Sequence, residues 1–228
     1  MRVLVACEHS GRVRSAFRAL GHDAYSCDLE LADDSQEYHI QGDCLPVIAQ
    51  GWDLVIAHPP CTHLCSSGAK HFAAKRADGR QAQGIALFMA IRDACEAHAS
   101  RWAIENPVGI MSSLWRKPDQ IVQPYMFGDE ARKATCFWLH DLVLLTPTNV
   151  VGHGEMRPLK DGRTMPAWYT TKGKHRQVTF PGMAKAMASQ WGSNWPPLLD
   201  DIMRDAGIAR NPGRESRTFL DNMQYLQG

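Results

Sequence analysis

The stretch that most constrains this chain is DLVIAHPPCTHLCSSG, residues 53–68. It opens with Leu54, Val55, Ile56 and Ala57, a short unbroken apolar run of the kind that fills a parallel strand covered on both faces. Pro59 and Pro60 end it. Each fixes φ and lacks an N–H, so the chain must leave the sheet stiffly. Cys61 follows directly. Open α/β sheets hold ligands outside the carboxyl ends of their strands, so a thiol on a rigid loop there sits where such folds keep their chemistry. A lone cysteine is also commonly a small buried hydrophobe, and both readings of Cys61 stand at this point.

The rest of the chain reads as layers around that strand. Residues 2–7 form a first buried strand and residues 8–11 a turn. Residues 12–20 have helical spacing, with Val13, Ala16, Phe17 and Leu20 on one face and Gly21 as the stop. Residues 24–27 form a second strand that ends at Asp28, Leu29 and Glu30. In nucleotide-binding folds an acid at that place accepts hydrogen bonds from a ribose diol. Many βαβ units bind nothing, however, and the single Gly11 is not a GxGxxG fingerprint. Asp43, after Gly42, either caps a short helix or bonds an adenine amino group.

Residues 62–80 show no clear periodicity and read as a mobile lid. Its Lys70, His71, Lys75, Arg76 and Arg80 are either solvated surface or phosphate contacts. Residues 81–99 are the clearest helix, with Ile85, Phe88, Met89 and Cys95 at helical intervals. Residues 102–104 are a strand that ends at Glu105, Asn106 and Pro107, a second place where a strand delivers a polar group and then a proline. Residues 123–127 and 135–139 read as further strands, with Arg132 and Lys133 between them.

Length and composition suit a soluble globular protein: 228 residues, 44% hydrophobic and 21% charged, enough for one α/β domain with a small appendage. The pattern predicts a mostly parallel, doubly wound sheet over residues 1–149. Residues 150–177 are a small basic excursion rich in Gly, Lys, Arg, His, Pro and Thr, with Trp168 and Tyr169 available for stacking. Residues 178–228 hold C-terminal helices, at 181–192 and 196–206, that pack back on the sheet. The net charge of +1 leaves no global basic field, so nucleic-acid contact must come from local patches. Seven cysteines, scattered without a disulfide framework, point to free thiols in a reducing cytoplasm. The amino-terminal run reads as a strand and not as a signal peptide, and no apolar run is long enough to span a membrane.

Cys61 and Glu105 end strands that lie near each other in a parallel sheet. Attack by a thiolate needs an accessible sulfur with a lowered pKa. A carboxylic acid nearby can protonate a ring nitrogen as the nucleophile adds. Together they suit covalent activation of an electron-poor heterocycle, although Glu105 taken alone could equally cap or pair. The competing chemistry is a zinc site from His58, Cys61, His63 and Cys65. Those ligands are crowded, Pro59 and Pro60 stiffen them, and no second ligand cluster accompanies them, so the reading carried forward has no metal.

The order of these features resembles the cytosine-C5 DNA methyltransferases that use S-adenosylmethionine. The features are a strand–turn–helix opening, Asp28, a Gly-Asp at Asp43, Pro-Pro-Cys at Cys61, and Glu-Asn at Glu105. The resemblance covers the chain ahead of residue 150 and, more faintly, residues 175–192. It implies a Rossmann-like methyltransferase fold and S-adenosylmethionine as cofactor. Cys61 would add to cytosine C6, Glu105 would hold the N3/N4 edge, and Arg132 would touch the base or backbone. Cys7, Glu8, His9, Ser10 and Gly11 would hold the methionine end of the cofactor, with Pro59 beside it. Asp28 and Leu29 would take the ribose, and Asp43 the adenine. The implied partner is DNA, its cytosine flipped out or single-stranded, and a homodimer is compatible with it.

The chain departs from the family at the turn CEHSG, at Thr62 where Gln is usual, and at Glu130-Ala131-Arg132-Lys133 where the family has Gln-x-Arg-x-Arg. The 150–177 excursion is too short for a full target-recognition domain, as in the compact methylases of phages and prophages. That shortness implies limited sequence specificity, or a smaller substrate such as a free cytosine nucleotide or a single strand. A non-catalytic nucleic-acid-binding protein on a degenerate methylase fold is the remaining alternative.

Overall fold

Strand β1 (Arg2–Ala6) lies in the interior of the sheet, and its side chains show why. Val3 and Val5 point to one face, Leu4 and Ala6 to the other, and all are fully buried. A strand covered on both faces must be apolar throughout, and full burial of such side chains stabilises by about 1.5–3 kcal/mol for each large one. The computed structural model describes residues 1–159, 162, 164–167 and 178–193.

From β1 the chain runs through helix α1 (Arg12–Ala19), β2 (Asp23–Asp28), β3 (His39–Gln41), α2 (Cys44–Ile48) and β4 (Trp52–Ala57). A 3₁₀ helix, Ser66–His71, leads into α3 (Phe72–Ala77), α4 (Arg80–His98) and β5 (Ala99–Pro107). The short α5 (Met111–Leu114) precedes β6 (Gln120–Val122), and β7 (Thr135–His140) completes the sheet. A separate antiparallel hairpin, β8 (Met156–Pro158) and β9 (Thr164–Pro166), lies in the basic excursion, and α6 (Pro181–Trp191) follows.

The seven strands are ordered β3-β2-β1-β4-β5-β7-β6. All are parallel except β7, which runs against both β5 and β6. This is an α/β architecture, a mostly parallel sheet with helices on both faces, compatible with a Rossmann-like fold. Val13 and Phe17 of α1 and Met183, Met187 and Trp191 of α6 pack on Val3, Val5, Leu54 and Ile56. Ile48 of α2 and Phe88, Ile91 and Cys95 of α4 pack on Leu4, Ala6, Val55 and Ala57. The strand order reverses between β1 and β4, so their carboxyl ends open the crevice in which such sheets bind ligands.

Several sequence expectations change. Residues 123–127 are not a strand: Pro124 has no N–H for a ladder, and a 3₁₀ turn, Pro124–Met126, takes its place. The strand lies just before it, at Gln120–Val122. The expected lid, 62–80, holds the 3₁₀ helix and α3, anchored by the fully buried Leu64. Residues 35–50 contain β3 and α2. The helix expected at 196–206, along with Trp168 and Tyr169, lies outside the described residues. Among the described residues no helix is long and apolar enough to cross a membrane.

Candidate active site

The carboxyl ends of β1, β2, β4 and β5 meet at one cleft of about 200 Å³. Cys7, Glu8, His9 and Ser10 line it from the turn after β1, and Asp28 lines it from the end of β2. Pro59 and Cys61 come from the segment after β4, and Glu105 from β5. Residues separated by almost a hundred positions are thus gathered by the parallel register that sets Ala6 beside Ala57 and Ala57 beside Ile104. Lys133, ahead of β7, and Thr179, ahead of α6, close the remaining wall.

The loop bearing Cys61 is held from several directions. The backbone N–H of His58 donates to Ala6 O at 2.9 Å, prolonging the β1–β4 ladder by a residue. Asn106 Nδ2 donates to Pro59 O at 2.7 Å, with Asn106 only 2% exposed. Beyond Cys61, Lys75 Nζ donates to Thr62 O at 2.5 Å, and Ser66 Oγ to Val108 O at 2.8 Å. Gly109 admits this loop, because a Cβ there would collide with the carbonyl of Leu64. Cys61 itself is half-buried.

His58 turns its ring toward Glu105, with Nδ1 and Oε2 at 3.1 Å and side chains 10% and 13% exposed. Glu105 Oε1 and His58 Nε2 are buried with no hydrogen-bond partner. Burial works to raise the Glu105 carboxyl, but the His58 hydrogen bond and the Lys133 charge prevail and hold it below the usual carboxylate range. The thiol behaves in the opposite way. Burial, then the negative Glu105, push Cys61 up to about 11, with Lys133 pulling against them. The lowered thiol pKa expected from sequence is therefore not found in the free protein: a desolvated sulfur beside a carboxylate keeps its proton.

At the other end of the cleft, Glu8 is 5% exposed and turned under the turn. Its Oε1 accepts from the backbone N–H of Val13 at 2.8 Å and from Ser10 Oγ at 3.1 Å, while Oε2 accepts from the N–H of Arg14 at 3.3 Å. Glu8 thus satisfies the first amides of α1, where a helix would otherwise draw in an external anion. Gly11 starts that helix in the left-handed region at φ 67°, and a Cβ there would run into the Asp34 carboxylate. Cys7, at φ 58°, places its sulfur 3.7 Å from Cys44. Its thiol is pushed well above the ordinary value, first by the hydrogen bond with Cys44 and then by burial. Asp28 Oδ1 accepts from the N–H of Glu30 at 3.0 Å, and Oδ2 lies 4.0 Å from His9 Nδ1.

Four of the sequence candidates do not line the cleft. Gly11 lies beneath the turn as the first residue of the helix start. Leu29 stands beside Asp28 with 73% of its surface exposed. Asp43 caps α2, its Oδ1 accepting from the N–H of Leu45 at 3.0 Å, which is the capping option left open by the sequence. Arg132 is exposed and bonds to His153, so a catalytic contact from Arg132 is not what this structure supports; its neighbour Lys133 faces the cleft instead. The zinc alternative loses its ligands to other partners: His58 bonds Glu105, and Cys65 bonds Ser67 Oγ at 3.1 Å. Among the described residues no group of three or more His, Cys, Asp or Glu side chains is arranged to hold a metal ion.

Sequence reasoning missed Thr179 altogether and knew His58 only as a zinc ligand. The signal for His58 was its place directly ahead of Pro59, at the end of the most apolar strand. No protein-family model matches this chain, and a comparison with curated proteins finds no match.

Proposed function

We propose that this protein is an S-adenosylmethionine-dependent methyltransferase that acts on C5 of cytosine in DNA, with Cys61 as nucleophile. The single observation that carries the reading is that Cys61, Glu105, Asp28 and the turn Cys7 to Ser10 line one cleft. A thiol and an acid with an unpartnered oxygen stand at one end, and a carboxylate at the other.

The cofactor end fits a nucleoside without phosphates. The amides that begin α1, which bind pyrophosphate in dinucleotide folds, are already taken by the Glu8 carboxylate. A second anion there would meet a like charge, whereas a cationic sulfonium would meet an opposite one. Asp28, which lines the cleft, would accept from the ribose hydroxyls. When bound, S-adenosylmethionine supplies the methyl group to C5.

The residues of the chain handle the protons. In the resting cleft Cys61 is a thiol and Glu105 a carboxylate, so the pair holds one proton. As Sγ bonds to ring C6, the S–H bond breaks, and that proton passes through Glu105 to N3. The ring then carries electron density at C5. Loss of the C5 proton to water after methyl transfer restores the ring double bond and breaks the S–C6 bond, and the N3 proton returns to the pair. Lys133, which faces both groups, steadies the negative charge while the proton is in transit.

The test is incubation with labelled S-adenosylmethionine and, in parallel, duplex DNA, single-stranded DNA, RNA and dCMP, with the label located by mass spectrometry. Label on C5 of cytosine in either DNA sample supports the proposal. Label in dCMP alone would redirect it to a nucleotide enzyme, and label in none would overturn it.

A further inference from the structure

We infer that His58 is a positioning residue for Glu105: its ring fixes one carboxylate oxygen and thereby leaves the other, Oε1, as the only one offered to a ligand. The inference rests on the methyltransferase reading for its chemistry, but not for its geometry.

Three observations carry it. His58 Nδ1 and Glu105 Oε2 are 3.1 Å apart, and both side chains are nearly buried. A carboxylate can only accept, so the imidazole must donate from Nδ1. Glu105 Oε1 is buried without a partner, a costly condition for a charged group that a ligand hydrogen bond would relieve. His58 is itself pinned, since its backbone continues the β4 ladder and Pro59 beside it is tied down by Asn106. The ring therefore sets the plane of the carboxyl and does not merely follow it.

His58 gives up no proton in this role. The proton that leaves the Cys61 sulfur moves onto Oε1 and from there to the ring nitrogen, while the Nδ1–H bond to Oε2 stays made. The titratable groups nearest Glu105 are His58 and Cys61 from the segment after β4 and Lys133 ahead of β7, while Cys136 of β7 points to the other face of the sheet. Glu8, His9, Asp28 and Glu30 line the same cleft from the first two strand ends. Of these, His58 and Lys133 are the groups that favour the Glu105 carboxylate.

The experiment has two arms. In the first, ¹⁵N-histidine NMR of the full chain reads the His58 tautomer, the resonance being identified by its loss in His58→Asn. Hydrogen on Nδ1 supports the inference, and hydrogen on Nε2 alone overturns it, whether or not the protein methylates anything. In the second, methylation of cytosine by His58→Asn, His58→Gln and His58→Phe is compared. The Asn amide nitrogen falls where Nδ1 was, so it retains the donor; the Gln amide reaches where Nε2 was. The expected result is a kcat about 10- to 100-fold lower for Gln and Phe, partial rescue by Asn, and an unchanged KM for the cofactor. The acid limb of the pH profile moves to higher pH in His58→Phe as Glu105 loses its donor. Gln matching Asn, or an acid limb that stays in place, would overturn the inference. If no variant and no wild-type sample methylates DNA, the proposed function falls and the NMR arm still decides the pairing.

Discussion

The Glu8 carboxylate accepts from the backbone N–H of Val13 at 2.8 Å, so the first turn of α1 is closed by a side chain that precedes it by a full turn of chain. Glu8 is one of the few charged residues buried in the described part of the protein, and its oxygens also take Arg14 N–H and Ser10 Oγ. Replacing it with Ala leaves these donors without their acceptor. Glu8→Ala should lower unfolding stability by about 2 kcal/mol in a urea titration.

On the proposed function, the same contact would set which nucleotides the cleft accepts. S-adenosylhomocysteine at about a hundred times its Kd should stabilise the protein by about 2.7 kcal/mol, read as a rise in Tm, while ADP and NAD at equal concentration should give no shift. Stabilisation by ADP or NAD would mean that an anion can displace or join Glu8 at the helix start.

The Cys61 thiol, pushed up to about 11, makes a prediction independent of any substrate. Only about one sulfur in a thousand is ionised at pH 8, so alkylation of Cys61 by iodoacetamide should run on the order of 100-fold slower than that of an ordinary free thiol. The rate, followed by peptide mass spectrometry, should keep climbing with pH and show no plateau by about pH 9. Lys133→Met removes a cation that favours the thiolate and should slow it further. Arg132→Met should leave it where it was.

Methylation itself should follow a broad bell in pH. The proposed reaction would require one proton shared by Cys61 and Glu105. Below the folded pKa of Glu105, which lies under the usual carboxylate range, both groups are protonated and the rate falls. Above about 11 both are deprotonated and it falls again. The acid limb of kcat/KM therefore belongs to Glu105 and the alkaline limb to Cys61. An acid limb above the ordinary carboxylate range would contradict the His58 and Lys133 contacts.

Asn106 joins β5 to the Pro59 carbonyl in the wall of the cleft. Asn106→Ala should cost about 1–3 kcal/mol in stability, because a buried carbonyl loses its donor. The same change should loosen the Cys61 loop, which hydrogen exchange at Thr62 to Cys65 would register as faster opening.

The sequence carried the parallel half of the fold because each buried strand ends in a chemically abrupt stop: Ala57 before His58 and two prolines, Ile104 before Glu105. Strand ends of that kind declare both the sheet and its working edge. Lys133 and Thr179 were beyond reach because their positions depend on β7 running backwards and on α6 docking against α1, facts of tertiary packing with no local periodicity. Asp43 could not be resolved from composition, since a cap and an adenine contact call for the same side chain. The raised Cys61 thiol was hidden for a related reason: desolvation and the Glu105 charge act through space, and neither is written next to the cysteine.

The reversed direction of β7 has one further consequence. Thr135, its first residue, pairs with Pro107, the last of β5, so the connection from β6 arrives over the mouth of the cleft, whereas the chain leaves β7 at His140 on the opposite edge. Extra residues inserted just ahead of Thr135 would lie over the entrance and leave the β5–β7 and β6–β7 pairings as they are. Residues added after His140 would thicken the base instead. Evolution and the engineer are thus handed one splice point at which admission to the cleft can be redrawn while its floor stays as it is.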